Sequence, residues 1–296
     1  MNPRNDIREF LTSRRAKVTP EQAGLPVYGH NRRVTGLRRE EVAMLAGVSV
    51  EYYTRLERGN AGGVSDDVLE GVVRALQLDE AERAHLFHLA RAANSAQPTR
   101  RRPSQERVRP TVQRILDSIT APAYVRNGRL DLLAANTLGY ALYSPVFTDT
   151  TAVVPNTARF IFLNPQAREF FDQWDTIAND AVAILRSEAG RDPHDRRLSD
   201  LIGELSTRSE DFRVRWAAHN VKFHRTGAKV LHHPIVGALT LAYEALELAG
   251  DTGQRILVYS AEPGSPTDHA LQLLASWTTT PSARKLASPA THHPTS

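Results

Sequence analysis

Cysteine does not occur among the 296 residues, which excludes disulfides, thiolate metal sites, cysteine nucleophiles and redox sensing through a thiol. Lysine is nearly as scarce. Only Lys17, Lys222, Lys229 and Lys285 occur, so arginine carries the basic character. No apolar run approaches the roughly 20 residues that a membrane-crossing helix needs. The opening MNPRNDIREF also lacks the apolar stretch of a signal peptide, so the expected location is the cytoplasm, away from any membrane. A Walker loop, GxGxxG after a strand, GxSxG and HExxH are all missing. Any metal would have to rest on His and carboxylates. His85 and His88 stand i,i+3 with no carboxylate array around them, and the side chains of His232 and His233 diverge across a strand. The carboxylates of GRDPHDRRLSD read as a helix-capping turn. The expectation is no catalysis, no metal and no cofactor.

What is present is enough chain for two ordinary domains, each able to bury its own core. The 41% apolar and 24% charged fractions are those of a water-soluble globular protein. The net charge of +4 is unevenly spread. Residues 1–109 hold 19 Lys/Arg against 14 Asp/Glu, whereas residues 110–296 hold 18 against 19. The basic excess therefore sits in the N-terminal third, where a polyanion would be met.

Helical spacing of Ile7, Phe10 and Leu11 predicts a first helix over residues 6 to about 15. An exposed basic loop, GLPVYGHNRR, follows. Two short helices flank Gly47, Ser65 caps a fourth with Val68, Leu69, Val72, Val73 and Leu76 inward, and Asp79 caps a fifth. These make an all-α five-helix domain over residues 1–95. Residues 96–109, with two prolines and a run of arginines, read as a linker that could add phosphate contacts. Beyond it Pro110 opens a helix with Val112, Ile115, Leu116 and Ile119 on one face, and Asn127-Gly128 signals a tight hairpin. Helical patterns over 174–188, ended by Gly190, then 195–205 and 209 to about 219, precede three strand-like runs: VKFHR turning at Thr226-Gly227 into AKVLHH, then ALTLAYEAL and QRILVYSAE. Two strands before the helices and about three after predict an α+β domain over 110–277, with a mixed sheet and helices inserted between its halves. The Thr/Ser/Pro-rich tail, 278–296, is expected to be disordered.

The most informative segment is LRREEVAMLAGVSVEYYTRLERG. A helix-turn-helix needs apolar inner faces on two helices and a residue free to take positive φ between them. Val42, Ala46, Val48, Tyr53 and Leu56 supply the faces, Ala43 is small at the closest approach, Gly47 makes the turn and Ser49 caps the second helix. In this geometry the second helix enters the major groove. Its outward residues are Val50, Glu51, Thr54 and Arg55. Arg55 suits guanine, Glu51 suits cytosine or a surface ion pair with Arg55, and Val50 suits a thymine methyl. Arg38 and Arg39, at the start of the first motif helix, are placed to grip phosphates of double-stranded DNA. His30, Arg32 and Arg33 of the loop could add phosphate or minor-groove contacts, and Arg58 reads as solvated or capping.

Through GLRREEVAMLAGVSVEYYTRLERG the sequence resembles the xenobiotic-response-element type of regulator, in the branch that carries an MmyB-like ligand-binding domain. The resemblance continues through DEAERAHLFHLA, RVRP, NDAVAILRSEAGRDPHDRRLSDLIGELSTRSEDFRVRWAAHNV, HHPIVGALTLAYEAL and VYSAEPGSP, and spans roughly residues 5–277. It implies a PAS-like second domain that binds a small apolar, fatty-acid-like molecule, and homodimers on an inverted-repeat operator. The basic loop over 24–34 is an insertion relative to minimal helix-turn-helix repressors.

A pocket in the second domain would be mostly apolar with a few fixed polar groups. Tyr124, Phe160, Phe162, Trp174, Phe212, Trp216 and Tyr243 are candidates for its walls, and Arg186, Arg191, Arg215 or His219 for an anionic head group. Phe212 and Trp216, at helical spacing, suit a packed core equally well. Two other functions fit parts of the chain: an antitoxin-like protein–protein module using the same helices, and an acyl-acting enzyme in the second domain, which would lack a nucleophile motif.

Overall fold

A computed structural model describes residues 3–25, 34–94, 107–149, 154–193, 195–218, 226–251 and 253–279. By their contacts the residues fall into two units: residues 1–102 together with 182–223, and residues 103–181 together with 224–296. The chain therefore returns to its first unit after starting the second, which a single cut near residue 100 does not anticipate.

In the first unit, helices α1 (Pro3–Lys17), α2 (Arg39–Ala46), α3 (Val50–Glu57), α4 (Asp66–Ala75) and α5 (Glu80–Asn94) follow the five that were expected. Ile7, Phe10 and Leu11 of α1, Leu37, Val42, Ala43, Tyr53, Leu56, Leu69, Val72, Leu86 and Leu89 form one buried core. Each such aliphatic or aromatic side chain stabilises by roughly 1.5–3 kcal/mol relative to exposure. The caps fall where the sequence put them. Ser65 accepts from Val68 N at 3.4 Å, and Asp79 accepts from Glu82 N at 2.8 Å while the Glu82 carboxylate accepts from Asp79 N at 3.1 Å.

Ahead of the return segment, the second unit contributes α6 (Pro110–Ser118), β1 (Ala123–Arg126), β2 (Leu132–Ala135), α7 (Thr137–Leu142), α8 (Ser144–Phe147), α9 (Thr157–Leu163) and α10 (Ala167–Phe170). The boundary at Val182 then falls inside α11 (Trp174–Arg191), and α12 (Arg196–Arg208) and α13 (Glu210–Ala217) belong to the first unit. Asp195 and Ser209 cap α12 and α13. The second unit resumes with β3 (Thr226–His233), β4 (Gly237–Glu247), β5 (Arg255–Ser260) and α14 (Pro266–Thr279).

The five strands form one sheet in the order β2-β1-β5-β4-β3, so the first strand lies beside the last and the helices between β2 and β3 are an insertion. Every pairing is antiparallel, which corrects the expected mixed sheet. Burial alternates along β4, with Leu239, Leu241, Tyr243 and Ala245 inward. β1 is buried throughout because both of its faces are covered. On one face Val112 and Leu116 of α6 pack with Ala123, Val125, Ala134 and Ile256.

Five local expectations change. The β1–β2 connection is not a two-residue turn. The Asn127 side chain accepts from Arg129 N at 2.9 Å and Asp131 N at 3.0 Å, and Leu130, not Gly128, takes positive φ. Helix α11 runs through Gly190 instead of stopping there. A Cβ at that position would meet His85 Nδ1 at 2.5 Å, so the glycine serves a close helix approach. Thr226 and Gly227 lie within β3, not in a turn, and the preceding run VKFHR lies outside the described residues. Ile115 is 52% exposed while its neighbours Val112 and Leu116 are buried, so the apolar stripe of α6 is narrower than its spacing suggested. Thr278 and Thr279, assigned to the tail, close α14, and residues 280–296 lie outside the described residues.

Candidate nucleic-acid interface and sensory face

Helix α2 is opened by the Glu41 carboxylate, which accepts from Arg38 N at 2.6 Å. It is closed by Gly47 at φ 70°, ψ 31°. Gly47 N bonds Met44 O at 3.2 Å and Val48 N bonds Ala43 O at 3.0 Å, the paired bonds of a left-handed helix stop. Two residues on, Ser49 accepts from Tyr52 N at 3.0 Å and starts α3 in a new direction. Val42, Ala43, Tyr53 and Leu56 hold the two helices together and are fully buried, while Ala46 and Val48 are partly buried.

This leaves one face of α3 outward. Val50 is 42% exposed, Glu51 and Arg55 are exposed, and Thr54 is half-buried. Among the described residues no ion pair joins Glu51 to Arg55, and the Arg55 guanidinium lies 4.9 Å from the Tyr52 ring centre. A cation over the aromatic ring of its own helix is steadied without being consumed. Arg38 is exposed and only weakly paired with Glu40 at 3.5 Å. Arg32, Arg33 and His30 lie outside the described residues.

Arg39 is engaged more deeply than the sequence reading allowed. Glu57, only 1% exposed, receives Arg15 Nε at 2.6 Å and is also bonded by Arg39 Nε, while Tyr53 Oη approaches it at 3.5 Å. Burial in the first place, then the Glu57 charge, pushes the Tyr53 hydroxyl well above its ordinary pKa. Arg39 remains 48% exposed, so part of its guanidinium still faces solvent. Arg15 and Glu57 were not picked out from the sequence; the signal available was a carboxylate on the inner, apolar side of α3.

The candidates for a ligand pocket divide between the units. Arg186, Arg191, Phe212, Arg215 and Trp216 belong to the first. There Phe212 stacks on Trp216 with ring centres 5.5 Å apart, and Arg186 lies 4.0 Å above the Trp216 ring. Burial pushes the Arg186 guanidinium down to about 10, against the nearby charges of Asp6 and Glu9. Arg191 pairs with Glu188 and Arg215 with Asp211. His219 lies outside the described residues.

Tyr124, Phe160, Trp174 and Tyr243 belong to the second unit. Phe160 is buried edge-on to Phe170 and Phe171, Phe162 lies edge-on to Trp174, and Trp174 donates to Ile161 O at 3.1 Å. The sheet face opposite α6 carries residues the sequence did not single out. Tyr259 Oη lies 2.6 Å from Tyr143 Oη and 3.2 Å from Tyr124 Oη. Lys229 Nζ sits 4.8 Å from the Tyr243 ring centre and 5.9 Å from that of Tyr259. Burial first, then the Arg126 charge, pushes the Lys229 ammonium down to about 8 against the opposing pull of Asp180. Burial likewise pushes the Tyr143 and Tyr259 hydroxyls well up. The result is an aromatic face with a cation and phenol groups at its centre.

His232 Nε2 meets Asp172 at 2.9 Å and His233 Nε2 meets Ala141 O at 3.0 Å, so the adjacent histidines engage different partners. Among the described residues no group of three His or carboxylate side chains is placed to hold a metal ion, and no helix is long and apolar enough to cross a membrane.

A helix presented outward across a glycine bend has the geometry of a helix-turn-helix, and together with two family matches it makes the chain a regulator of transcription that joins DNA binding to ligand sensing. A helix-turn-helix domain model matches residues 8–86, and the model of the MmyB-like transcription regulator ligand binding domain matches residues 108–274. The latter covers more than half of the chain, which belongs to that family. Its match is continuous in sequence, although contacts place 182–223 with the first unit. No curated protein matches the chain.

Proposed function

We propose that the chain is a sequence-specific regulator, not an enzyme, that binds double-stranded DNA as a cytoplasmic homodimer on an inverted-repeat operator. Residues 1–95 hold the DNA, 96–109 link, and 110–277 form a PAS-like domain that senses a small apolar, fatty-acid-like ligand. The observation that carries the first part is the outer face of α3, where Val50, Glu51 and Arg55 are exposed. Side chains left free at the start of such a helix can reach base edges in the major groove. Arg38 and the solvent-facing part of Arg39 supply backbone contacts at the start of α2, where the helix dipole adds to their charge.

The five-stranded antiparallel sheet with helices inserted between β2 and β3 supports the PAS-like reading. Its Tyr124, Tyr143, Tyr243 and Tyr259 face supports a ligand that is apolar along most of its length, with a polar end near Lys229. Ligand that favours one arrangement of the sensory domain shifts the DNA-binding population of the dimer. Selection from a random pool of duplex DNA tests the first part: one twofold-symmetric motif is expected, and an unenriched pool contradicts it. Mass spectrometry of an organic extract of the purified protein tests the second, with a co-purifying acyl compound expected. Operator affinity that does not change at saturating ligand rejects the switch.

A further inference from the structure

We propose that α1 also holds DNA: Arg8 and Thr12, with Arg39 and Arg58, form a cleft for a backbone phosphate at the C-terminal end of α3. The proposal rests on the DNA-binding reading and extends the contact beyond the helix pair. The cleft has a volume of about 450 Å³ and is lined by Arg8, Thr12, Arg39, Glu57 and Arg58. A second hollow of about 540 Å³ shares Arg8 and Thr12 and continues along α1 past Asn5, Ser13, Ala16 and the Glu9 carboxylate, so the phosphate is placed in the first hollow and not in this one. The two make a groove whose wall is the exposed side of the first helix.

Charge bookkeeping shows what the cleft lacks. Its one carboxylate, Glu57, is already bonded by Arg15 and Arg39. Arg8 and Arg58 are exposed, and among the described residues neither has an ion pair. Two unneutralised guanidiniums and a threonine hydroxyl thus converge on a hollow that no protein anion fills. A guanidinium fork matches phosphate oxygens, which makes such a pair of exposed arginines suited to an anion.

Backbone geometry fixes the convergence. Arg58 caps the C-terminus of α3, and the following Gly59 takes φ +88°. A Cβ on Gly59 would come within 2.1 Å of Arg4 O, so the end of α3 abuts the first turn of α1, and Arg8, one turn further on, lines the same cleft as Arg58. Of the base-reading residues, Val50 and Glu51 sit at the other end of the same helix, and Thr54 and Arg55 lie one turn before the cleft. A phosphate held here would therefore set how α3 lies along the groove, and it carries no sequence information.

The test uses the full-length protein and a fluorescein-labelled duplex of mixed sequence, with affinity followed by anisotropy across a salt series. Each lost phosphate contact lowers the salt slope by about 0.9. Arg8→Gln is expected to lower the slope, and the Arg8→Gln, Arg58→Gln double variant, which empties a cleft holding one phosphate, to lower it by about 0.9 per protomer, each with several-fold weaker binding near 0.1 M salt. Arg8→Lys, which keeps the charge, restores most of the slope and separates this effect from misfolding. Arg114→Gln makes the same charge change on α6 and is expected to leave the slope unchanged. Wild-type slope in Arg8→Gln, or an equal loss in Arg114→Gln, overturns the cleft while leaving the DNA-binding reading intact. Wild-type protein that binds the duplex with no salt dependence overturns both.

Discussion

Arg55 and Glu57 are two residues apart on α3 and face opposite ways, and the difference decides what each substitution does. Arg55 is exposed and lies against the Tyr52 ring, so Arg55→Ala removes the proposed base contact without disturbing the core. The expected loss is about 1–3 kcal/mol of discrimination at one base pair per half-site, read by competition between operator variants. Folding stability is expected to change by less than about 0.5 kcal/mol. Glu57 is the reverse. Glu57→Gln leaves Arg15 and Arg39 without their shared anion and is expected to cost about 3 kcal/mol in urea unfolding. The outward set was legible from the helical period alone, whereas the Glu57 pairing was not, because Arg15, Arg39 and Glu57 come from three helices. No local pattern records that meeting.

At the scale of elements, the bend between α2 and α3 makes a graded prediction. Gly47 has positive φ and open space where a Cβ would stand, so substitution there costs backbone strain and no clash. Gly47→Asn is expected to be nearly neutral, Gly47→Ala to cost about 1–2 kcal/mol, and Gly47→Val more, because a β-branched chain fits the left-handed region worst. Thermal unfolding of the three variants checks the order, and equal losses would contradict it. On the tyrosine-lined face of the sheet, Tyr259→Phe deletes the hydroxyl shared by Tyr124 and Tyr143 and is expected to cost about 1–2 kcal/mol. Caps at Ser49, Ser65, Asp79, Asp195 and Ser209 could be read from sequence because a cap is a local event. Helices α7 to α10 were not anticipated. They are short, and their burial comes from the sheet and from one another, not from a sustained period. Helix α14 carries a local signal of its own, Ser265 and Pro266 ahead of Ala270, Leu271 and Leu274. The Asn127-Gly128 pair pointed to the right hairpin and the wrong turn, because the Asn127 side chain found two backbone donors that a two-residue loop does not offer.

For the molecule as a whole, the two-part layout was visible in the change from helical to strand-like grammar and in the basic excess of the first third. The return of 182–223 to the first unit was not, since sequence order gives no sign of it. Whole-chain stability also carries a pH signature. Lys229 has its pKa lowered to about 8 in the fold, against roughly 10.4 unfolded. Between those values the unfolded chain binds more protons, so the Lys229 contribution makes stability rise as pH goes from about 8 to about 10. Above that, Tyr143 and Tyr259, whose pKa values are raised in the fold, work in the opposite direction. Lys229→Met is expected to flatten the rise and to be the more stable protein at neutral pH. An unchanged pH profile in denaturant titrations would show that the ammonium is solvated.

The measurement that bears most directly on the account is a pair of parallel selections from random duplex DNA, one with the natural chain and one with Val50, Glu51, Thr54 and Arg55 all replaced by alanine. The natural chain should enrich a single twofold motif; the quadruple variant should lose it while still binding unselected duplex with a steep salt dependence. Recovery of the same motif by the variant would place sequence reading elsewhere in the chain and remove α3 from its assigned role.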